Sequence, residues 1–180
     1  FPEYVVPRAD ALALLAAAAA SAQAASGLSY NNLSLVYSDV DDAAGSDGYS
    51  IAAQVTLGSN VLIQADSNIG GDTRSLGGDN DSLSIGYIFK GVVAGVDVTP
   101  YVGTEDTYGV LLRRTLSEVV AGLEVRAAYE QVESEANVSN GALLVGLGYS
   151  FAKSYTVDVN YINAEGGLAD SWQVGLRYNF

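Results

Sequence analysis

The sequence predicts an all-β fold: a transmembrane, up-and-down antiparallel β-barrel of about ten strands. Three observations support this prediction. Apolar side chains recur at every second position from residue 28 to the end of the chain, which is the period of a strand and not of a helix. The alternating runs are close to the roughly 9–11 residues with which a tilted strand crosses a bilayer. Short turns alternate with longer polar loops, as they do in membrane barrels.

The composition of the chain excludes several classes of protein. Its 180 residues fit one domain, and 21 acidic residues against 8 Lys and Arg give a formal net charge of −13. An acidic chain is a poor partner for nucleic acid, because binding to phosphates depends on Lys and Arg. Cys and His are absent, which excludes disulfides, thiolate metal sites and histidine-dependent catalysis. We therefore expect no cofactor and no nucleic-acid partner.

The first 25 residues have the pattern of a secretory signal peptide. An Ala-rich apolar run at 11–25 contains Ala22-Gln23-Ala24, small residues at the spacing of a cleavage site, so we expect cleavage after Ala24. The run is shorter than the roughly 20 residues of a membrane helix. The stretch before it departs from the pattern, because Arg8 is its only cation. A retained Ala-rich helix or a disordered tail is the alternative; in each case residues 26–180 form the predicted barrel domain.

Ten alternating runs can be assigned to strands in chain order. Each run pairs an apolar face with a small or polar face, as a strand between lipid and an enclosed interior requires. The runs are residues 28–38, 48–57, 61–69, 81–89, 92–102, 107–115, 119–131, 141–151, 155–163 and 170–180. Eight strands is the alternative, which applies if two runs belong to one bent strand.

The connections between these runs differ in length. Tight turns are predicted at Gly58-Ser59-Asn60, Lys90-Gly91, Leu116-Ser117-Glu118 and Ala152-Lys153-Ser154. Longer polar loops are predicted at 39–47, 70–80, 103–106, 132–140 and 164–169. In membrane barrels the short turns lie on the periplasmic side and the long loops lie outside. We refer below to the turn end and the loop end of the barrel.

The two faces of the predicted strands differ in composition. In the last strand Trp172, Val174, Leu176, Tyr178 and Phe180 alternate with Ser171, Gln173, Gly175, Arg177 and Asn179. A surface open to water is usually rich in Lys, Glu and Thr, whereas this polar face is mostly Gly, Ser, Ala and Gln with isolated charges. Small residues suit an enclosed lumen. We therefore expect the apolar face to contact lipid and the polar face to line the interior.

Aromatic residues gather at both ends of the predicted strands. The loop-end group is Tyr37, Tyr49, Tyr101, Tyr108, Tyr129, Tyr161 and Trp172. The turn-end group is Tyr30, Tyr87, Phe89, Tyr149, Phe151, Tyr155, Tyr178 and Phe180. Two such belts are typical of membrane barrels, because amphipathic rings lie at both membrane interfaces.

With these features the chain resembles the small bacterial outer-membrane β-barrels, the OmpA-like and porin-like group, over residues 27–180. The residues that carry the resemblance are the alternating Trp172, Val174, Leu176, Tyr178 and Phe180 of the last strand. The resemblance implies that this strand is the assembly signal recognised by the barrel-assembly machinery. It also implies a monomer in the bacterial outer membrane, in contact with lipid and lipopolysaccharide.

Eight charged side chains fall on the predicted inward face. They are Asp66, Asp97, Arg113, Glu124, Arg126, Glu130, Asp158 and Arg177. Because isolated charges in an enclosed space are unstable unless paired, three Arg among five carboxylates predict a salt-bridged polar network across the lumen. The network either fills and locks the barrel, or lines a narrow and slightly acidic path. Arg114 falls on the lipid face: either it lies near the turn at Ser117 and reaches the headgroups, or the assignment of the two faces shifts by one residue there.

The acidic loops offer a second set of candidate residues. Asp39, Asp41, Asp42, Asp79 and Asp81 are weak candidates for Ca²⁺ ligands, since they are clustered but do not follow the EF-hand spacing. Solvated loops are the simpler interpretation. Bridging to lipopolysaccharide phosphates through divalent cations is a further hypothesis.

The predicted function is a structural barrel or a narrow pore for small hydrophilic solutes with a preference for cations, since ten strands are near the limit at which side chains fill the lumen. The alternatives are a surface adhesion protein that acts through its acidic loops and a soluble lipocalin-like binding barrel. We expect no enzymatic activity. The enzymes that this architecture resembles use a catalytic His, and Glu124 and Glu130 lie roughly 20 Å apart along one strand.

Overall fold

The computed structural model describes residues 28–41, 47–71, 81–104, 106–133, 139–165 and 169–180. The predicted signal peptide, residues 1–25, lies outside the described residues and remains a prediction. Within the described ranges, no helix is long and apolar enough to cross a membrane.

The described residues form eleven β-strands connected in sequence. They are β1 (Asn32–Val40), β2 (Asp47–Leu57), β3 (Val61–Gly71), β4 (Asp81–Tyr87), β5 (Phe89–Val93), β6 (Val96–Gly103), β7 (Thr107–Thr115), β8 (Leu123–Glu133), β9 (Ser139–Ala152), β10 (Tyr155–Ala164) and β11 (Ser171–Asn179). Every paired neighbour is antiparallel. The all-β, up-and-down prediction is confirmed.

The sheet closes on itself into a ten-stranded barrel. Strand β1 pairs with both β2 and β11, so the first and last strands are neighbours. On the opposite side both β4 and β5 pair with β6, and β4 also pairs with β3. Strands β4 and β5 are therefore two parts of one barrel strand, interrupted at Ile88. The ten-strand count is confirmed and the eight-strand alternative is wrong.

Burial alternates along the strands in the sense expected for a membrane barrel. In β11 the apolar side chains face outward, with Trp172 57% and Leu176 47% exposed, whereas the inward Arg177 is 3% exposed. Strand β10 alternates in the same way. The lipocalin-like alternative is wrong, because it requires the apolar face of these strands to point inward.

The turn predicted at Lys90-Gly91 lies four residues later, at Ala94-Gly95. Both of these residues have positive φ, 50° and 77°, as in the tight two-residue hairpins that match the twist of the strands. Gly91 also has a positive φ of 61°, but it lies in an irregular part of β5 and donates its backbone N–H to Asp97 at 2.8 Å. The predicted strand break at residue 90 is therefore wrong, and residues 92 and 93 belong to β5.

Two other strand boundaries differ from the predicted ones. The connection predicted at 116–118 extends to residue 122, because Leu116 donates its N–H to the Leu123 carbonyl at 2.8 Å and accepts N–H groups from Val119 and Val120. Strand β8 therefore begins at Leu123 and not at residue 119. Strand β1 begins at Asn32, four residues after the predicted start.

Most of the aromatic residues form outward-facing pairs near the strand ends. The ring pairs at the loop end are Tyr37–Tyr49 and Tyr161–Trp172, and those at the turn end include Tyr87–Phe89, Tyr155–Tyr178 and Tyr178–Phe180. Two members of the predicted belts are exceptions. Tyr30 and Tyr101 are 6% and 7% exposed and point into the barrel, in keeping with the inward parity of Asn32 in β1 and of Asp97 in β6.

Candidate functional site in the barrel lumen

The centre of the lumen is crossed by five charged side chains, which we call the charged layer: Arg113, Glu124, Arg126, Asp158 and Arg177. Arg113 donates to both carboxylate oxygens of Glu124, at 2.7 and 3.0 Å. Arg177 Nη2 bridges Glu124 Oε2 at 3.0 Å and Asp158 Oδ1 at 3.1 Å. Arg126 Nη2 lies 3.2 Å from the same Asp158 oxygen.

The charged layer joins four strands into one polar cluster. Its members come from β7, β8, β10 and β11, and Arg113 lies directly opposite Arg126 in the β7–β8 register. Two neighbouring guanidinium groups repel each other, so the carboxylates of Glu124 and Asp158 are needed to hold them together. Three guanidinium groups face two carboxylates, which leaves the layer with one net positive charge.

Neutral side chains extend this network around the wall. Asn160 accepts from Arg126 Nε at 2.9 Å, and its amide reaches Gln173 at 3.4 Å. Gln173 then donates to Ser38 at 3.2 Å. On the far wall, Asn32 donates to Gln54, which donates to Gln64 at 2.6 Å.

Two glycines in β9 make room for the charged layer, because they have no side chain. Gly148 lies between Glu124 and Asp158 in the sheet register. A Cβ at this position would lie 2.7 Å from Asp158 Oδ1 and 3.0 Å from Arg177 Nη2. Gly146 has the equivalent position between Arg126 and Asn160. The sequence shows both as inward small residues but does not show that guanidinium groups lie over them.

The turn end of the lumen is closed by an apolar plug, which consists of Leu28, Tyr30, Leu62 and Ile88. Leu62 and Ile88 are completely buried, and Leu28 packs against them. Arg113 lies over the Tyr30 ring, with 4.4 Å between its Cζ and the ring centroid.

Polar side chains complete the closure on the opposite wall. Thr156 accepts from Asn179 at 2.9 Å and lies 2.8 Å from Ser150. Thr156 is 1% exposed. Thr156 and Asn179 are thus part of the buried wall at this end.

Asp97 belongs to the plug region and not to the charged layer. It accepts the Tyr30 hydroxyl at 3.0 Å and the Gly91 N–H at 2.8 Å. Its predicted inward position agrees with the structure. The plug itself was missed, although Leu62 shares the inward parity of Gln64, and Ile88 that of Ser84.

A cavity of about 200 Å³, which we call the chamber, lies between the charged layer and the loop end. It reaches Thr104 at the loop end and Arg126, Asp158 and Arg177 at its floor. Asp66 and Glu130, the two remaining predicted lumen residues, line it. Glu130 accepts the Tyr101 hydroxyl at 2.7 Å, away from the charged layer.

One wall of the chamber is apolar, which the sequence interpretation did not expect of the lumen. The inward side chains of Tyr101, Leu111, Ala128 and Leu144 form this wall. Ile162 belongs to the same buried cluster, and Ala142 packs against it. The opposite wall carries Gln54, Gln64 and Ser84, with Gln64 donating to Ser84 at 3.1 Å. The chamber is therefore amphipathic. Strand parity alone predicts all of these inward positions.

The candidate loop ligands do not form a described metal site. No group of three or more acidic residues that could hold a metal occurs in the parts of the chain that the structure describes. Asp81 accepts the Ser67 hydroxyl at 2.6 Å, and Asp39 is exposed. Asp42 and Asp79 lie outside the described residues. The roles of the loops in cation binding and adhesion stay predictions.

Arg114 lies outward at the turn end and forms an ion pair with Glu118 at 2.7 Å. Its side chain is partly exposed, in agreement with the predicted position near the membrane surface. An exposed pair of this kind contributes little to stability.

Comparison with known proteins identifies the architecture. The KdgM porin in complex with disordered oligogalacturonate aligns with a TM-score of 0.50 and 10% sequence identity, over 83% of this chain and 99% of that chain. The chain has the fold of the outer-membrane β-barrels. Omp33 of Acinetobacter baumannii (TM-score 0.36, 11% identity, 86% and 100% of the two chains) and Ail of Yersinia pestis (0.34, 13%, 86% and 99%) are more distant in structure. No protein-family profile and no curated sequence matches the chain.

The outer-membrane barrel fold agrees with the distribution of side chains described above. An apolar outer surface around a polar interior is stable in lipid and unstable in water. The fold and this surface place the protein in the bacterial outer membrane.

Proposed function

We propose that this outer-membrane barrel is a narrow pore for small hydrophilic solutes, and that the conformation described here is its closed state. The observation that carries the proposal is the chamber, a partly polar cavity of about 200 Å³ that reaches from the loop end to the charged layer. A purely structural role does not require such a cavity.

The size of the chamber limits the solutes that it can hold. Binding pockets for drug-sized molecules have volumes of roughly 300–1,000 Å³, and the chamber is smaller than these. Eight strands leave room only for side chains or one small ligand, and sixteen or more leave an open channel. Ten strands therefore suit solutes of a few heavy atoms.

The plug blocks the passage of a solute from the chamber to the periplasm. Leu62 and Ile88 are completely buried at the turn end, directly below the charged layer. A solute that enters the chamber leaves toward the periplasm only when the charged layer and these two side chains move. We therefore expect a low conductance with rare openings.

The charges in the chamber support a preference for cations at its entrance. Asp66 and Glu130 line the upper chamber, so a solute from the loop end meets two carboxylates before the guanidinium groups. Like charges are repelled and opposite charges are concentrated by such a lining. The single net positive charge of the charged layer acts below this point.

Planar-bilayer recordings test the proposed pore. The purified protein should give small, infrequent current steps. The double variant Leu62→Ala/Ile88→Ala opens the plug, and it should give larger and more frequent steps. A double variant of two lipid-facing side chains, Leu35→Ala in β1 and Ile85→Ala in β4, is the matched control and should resemble the unchanged protein.

The competing interpretation is a structural barrel with a locked lumen. It is favoured if the plug variant stays silent while its heat-modifiable migration on a denaturing gel shows a folded barrel. Loss of cation selectivity in Asp66→Asn, measured as a reversal potential in a salt gradient, would add support for the pore.

We also propose that β11 carries the assembly signal. Its outward residues Trp172, Val174, Leu176 and Tyr178 are exposed, Phe180 follows the strand, and β11 closes the barrel against β1. Phe180→Ala should reduce the fraction of newly made protein that reaches the outer membrane in a folded form, whereas Phe151→Ala, an outward aromatic of β9, should not.

A further inference from the structure

Glu130 is an acidic residue in an unusual environment on the chamber wall. It is 4% exposed, and its Oε2 accepts the Tyr101 hydroxyl at 2.7 Å. Its Oε1 has no hydrogen-bond partner among the described residues, and Glu130 forms no ion pair with any of them. A buried carboxylate without a counter-charge is unfavourable, so a cation bound beside it would be stabilised.

Two other polar residues line the same chamber. Thr107 lines the chamber, is 6% exposed, and its Oγ1 has no partner in the described part of the chain. Asp66 lines the chamber too. Together these residues place two acidic side chains and a buried hydroxyl group on the chamber wall.

The arginine nearest to Glu130 along its own strand is turned away from it. Arg126 also points inward from β8, but its Nε donates to Asn160 and its Nη2 pairs with Asp158 toward the turn end. Arg113 and Arg177 are held by Glu124. The small Ala128 lies between Arg126 and Glu130 and leaves the chamber open at this level.

The surroundings of Glu130 favour an organic cation over a metal ion. A metal ion such as Ca²⁺ requires six to eight oxygen ligands, and no group of three or more acidic residues occurs within the described ranges. The wall beside Glu130 is formed by Tyr101, Leu111 and Leu144. An aromatic ring and aliphatic side chains are suitable neighbours for the hydrocarbon part of an amine.

We propose that the chamber binds a small primary ammonium ion, with its charged group between the carboxyl groups of Glu130 and Asp66 and its alkyl part against Tyr101, Leu111 and Leu144. This inference deepens the proposed pore function, on which it rests for the entry of the solute, because it names the class of solute.

Calorimetric titration of the refolded barrel in a non-ionic detergent, with n-butylammonium chloride as the probe, tests the site. We expect saturable binding at one site. Glu130→Gln and Asp66→Asn keep the shape of each side chain and remove its charge, and each should weaken binding by at least about tenfold, the effect of losing one charge-assisted hydrogen bond. Glu118→Gln removes an exposed carboxylate at the turn end and should leave the affinity unchanged.

Three results would overturn the proposal. The first is the absence of saturable binding to the unchanged protein. The second is equal affinity in Glu130→Gln. The third is tighter binding of calcium chloride than of butylammonium, with the calcium affinity lost in Glu130→Gln, since that identifies a metal site. Sodium pentanoate, which has the same butyl chain and the opposite charge, should not bind.

Two further measurements separate the possible failures. If the charge variants do not fold, methyl chemical shifts of Thr107 and Leu144 in the unchanged protein report the ligand directly, and shifts confined to other parts of the barrel contradict the site. Binding without conductance would leave this inference standing and remove the pore. Conductance without binding would leave the pore standing and remove this inference.

Discussion

At the scale of single residues, the charged layer depends on a missing side chain as much as on the charged ones. Arg177 Nη2 bridges Glu124 and Asp158 in the space above Gly148, where a Cβ would lie 2.7 Å from Asp158 Oδ1. A methyl group here must displace a buried carboxylate or guanidinium group. Such overpacking usually costs about 1–3 kcal/mol.

Gly148→Ala should therefore lower the free energy of unfolding by about 1–3 kcal/mol. The measurement is urea unfolding in lipid vesicles, followed by the fluorescence of Trp172, the only tryptophan. Gly175→Ala is the control, because Gly175 is also inward and adjacent to Asp158, but its Cβ would have ordinary contacts of 3.4 Å or more. Equal losses in the two variants would contradict the steric explanation.

Strand parity predicted which charged residues face inward, because a period of two fixes the face of every residue once one face is assigned. It did not predict the pairing. Arg113 binds Glu124, and Arg177 reaches the same carboxylate although β9 and β10 separate their strands. Glu130 instead binds Tyr101, away from the three arginines. These distances depend on the stagger and curvature of the closed sheet, which a single sequence does not contain.

At the scale of elements, the β5–β6 hairpin shows how a turn signal can mislead. Lys90-Gly91 and Ala94-Gly95 are similar in sequence, yet only the second forms the hairpin. The first is part of an irregular strand, where Gly91 donates to Asp97. Gly91 and Asp97 lie on the two strands of this hairpin, and turn chemistry alone does not reveal their contact.

Ala94 is strained in this hairpin, because its φ of 50° is unfavourable for a residue with a Cβ. Asn is preferred at this turn position, so Ala94→Asn should raise the free energy of unfolding by about 0.5–1 kcal/mol. Lys90→Asn places the same residue before the other glycine and should give no gain. A gain for Lys90→Asn alone, measured by the same urea unfolding, would support the turn that the sequence suggested.

The connection between β10 and β11 has a carboxylate clamp at the loop end. Asp170 accepts the Tyr161 hydroxyl at 2.6 Å, the backbone N–H of Ala164 at 3.1 Å and the Asn163 amide at 3.0 Å. The hydrogen bond from Tyr161, followed by that from Ala164, holds the pKa of Asp170 below its ordinary value of 3.8. All three donors favour the ionised carboxylate.

This clamp should be sensitive to acid. Because the pKa of Asp170 is lower in the folded barrel, its stabilising effect is complete above pH 3.8 and is lost as the pH falls through the folded value. Hydrogen exchange of the Ala164 amide, corrected for its intrinsic rate, should lose protection in that range. Asp170→Asn should remove the pH dependence, and a persistent step in this variant would assign the titration to another group.

At the scale of the whole molecule, the sequence could predict that apolar side chains face outward and polar side chains face the lumen. This arrangement is an average over all the strands. Dozens of alternating positions agree on it, so errors at Tyr30 and Tyr101 do not change the result. The plug and the apolar chamber wall are different, since each depends on four to six side chains from separate strands. Function depends on these few residues, and for that reason it was predicted less completely than the fold.

If the outer surface of the barrel faces lipid, the cost of an outward arginine should depend on its depth in the bilayer. Leu143 and Leu147 share the outward face of β9 and are 45% and 53% exposed. Leu147 is paired with Val125 and Val159 and lies at the middle of the barrel wall, whereas Leu143 lies nearer the loop end. An arginine facing lipid costs about 2–4 kcal/mol at the midplane and about 0–1 kcal/mol near an interface. Leu147→Arg should therefore destabilise the barrel in vesicles by about 2–4 kcal/mol, and Leu143→Arg by about 1 kcal/mol or less.

The same pair distinguishes a membrane barrel from one in water. In water both leucines would be ordinary exposed surface residues, and neither substitution would change stability by more than about 0.5 kcal/mol. The measurement is urea unfolding of both variants in vesicles of one lipid composition, repeated with a thinner bilayer. Thinning brings Leu147 closer to the headgroups and should reduce the cost of its arginine. Equal and small effects at both positions would contradict the lipid-facing surface on which the chamber, the plug and the proposed pore all depend.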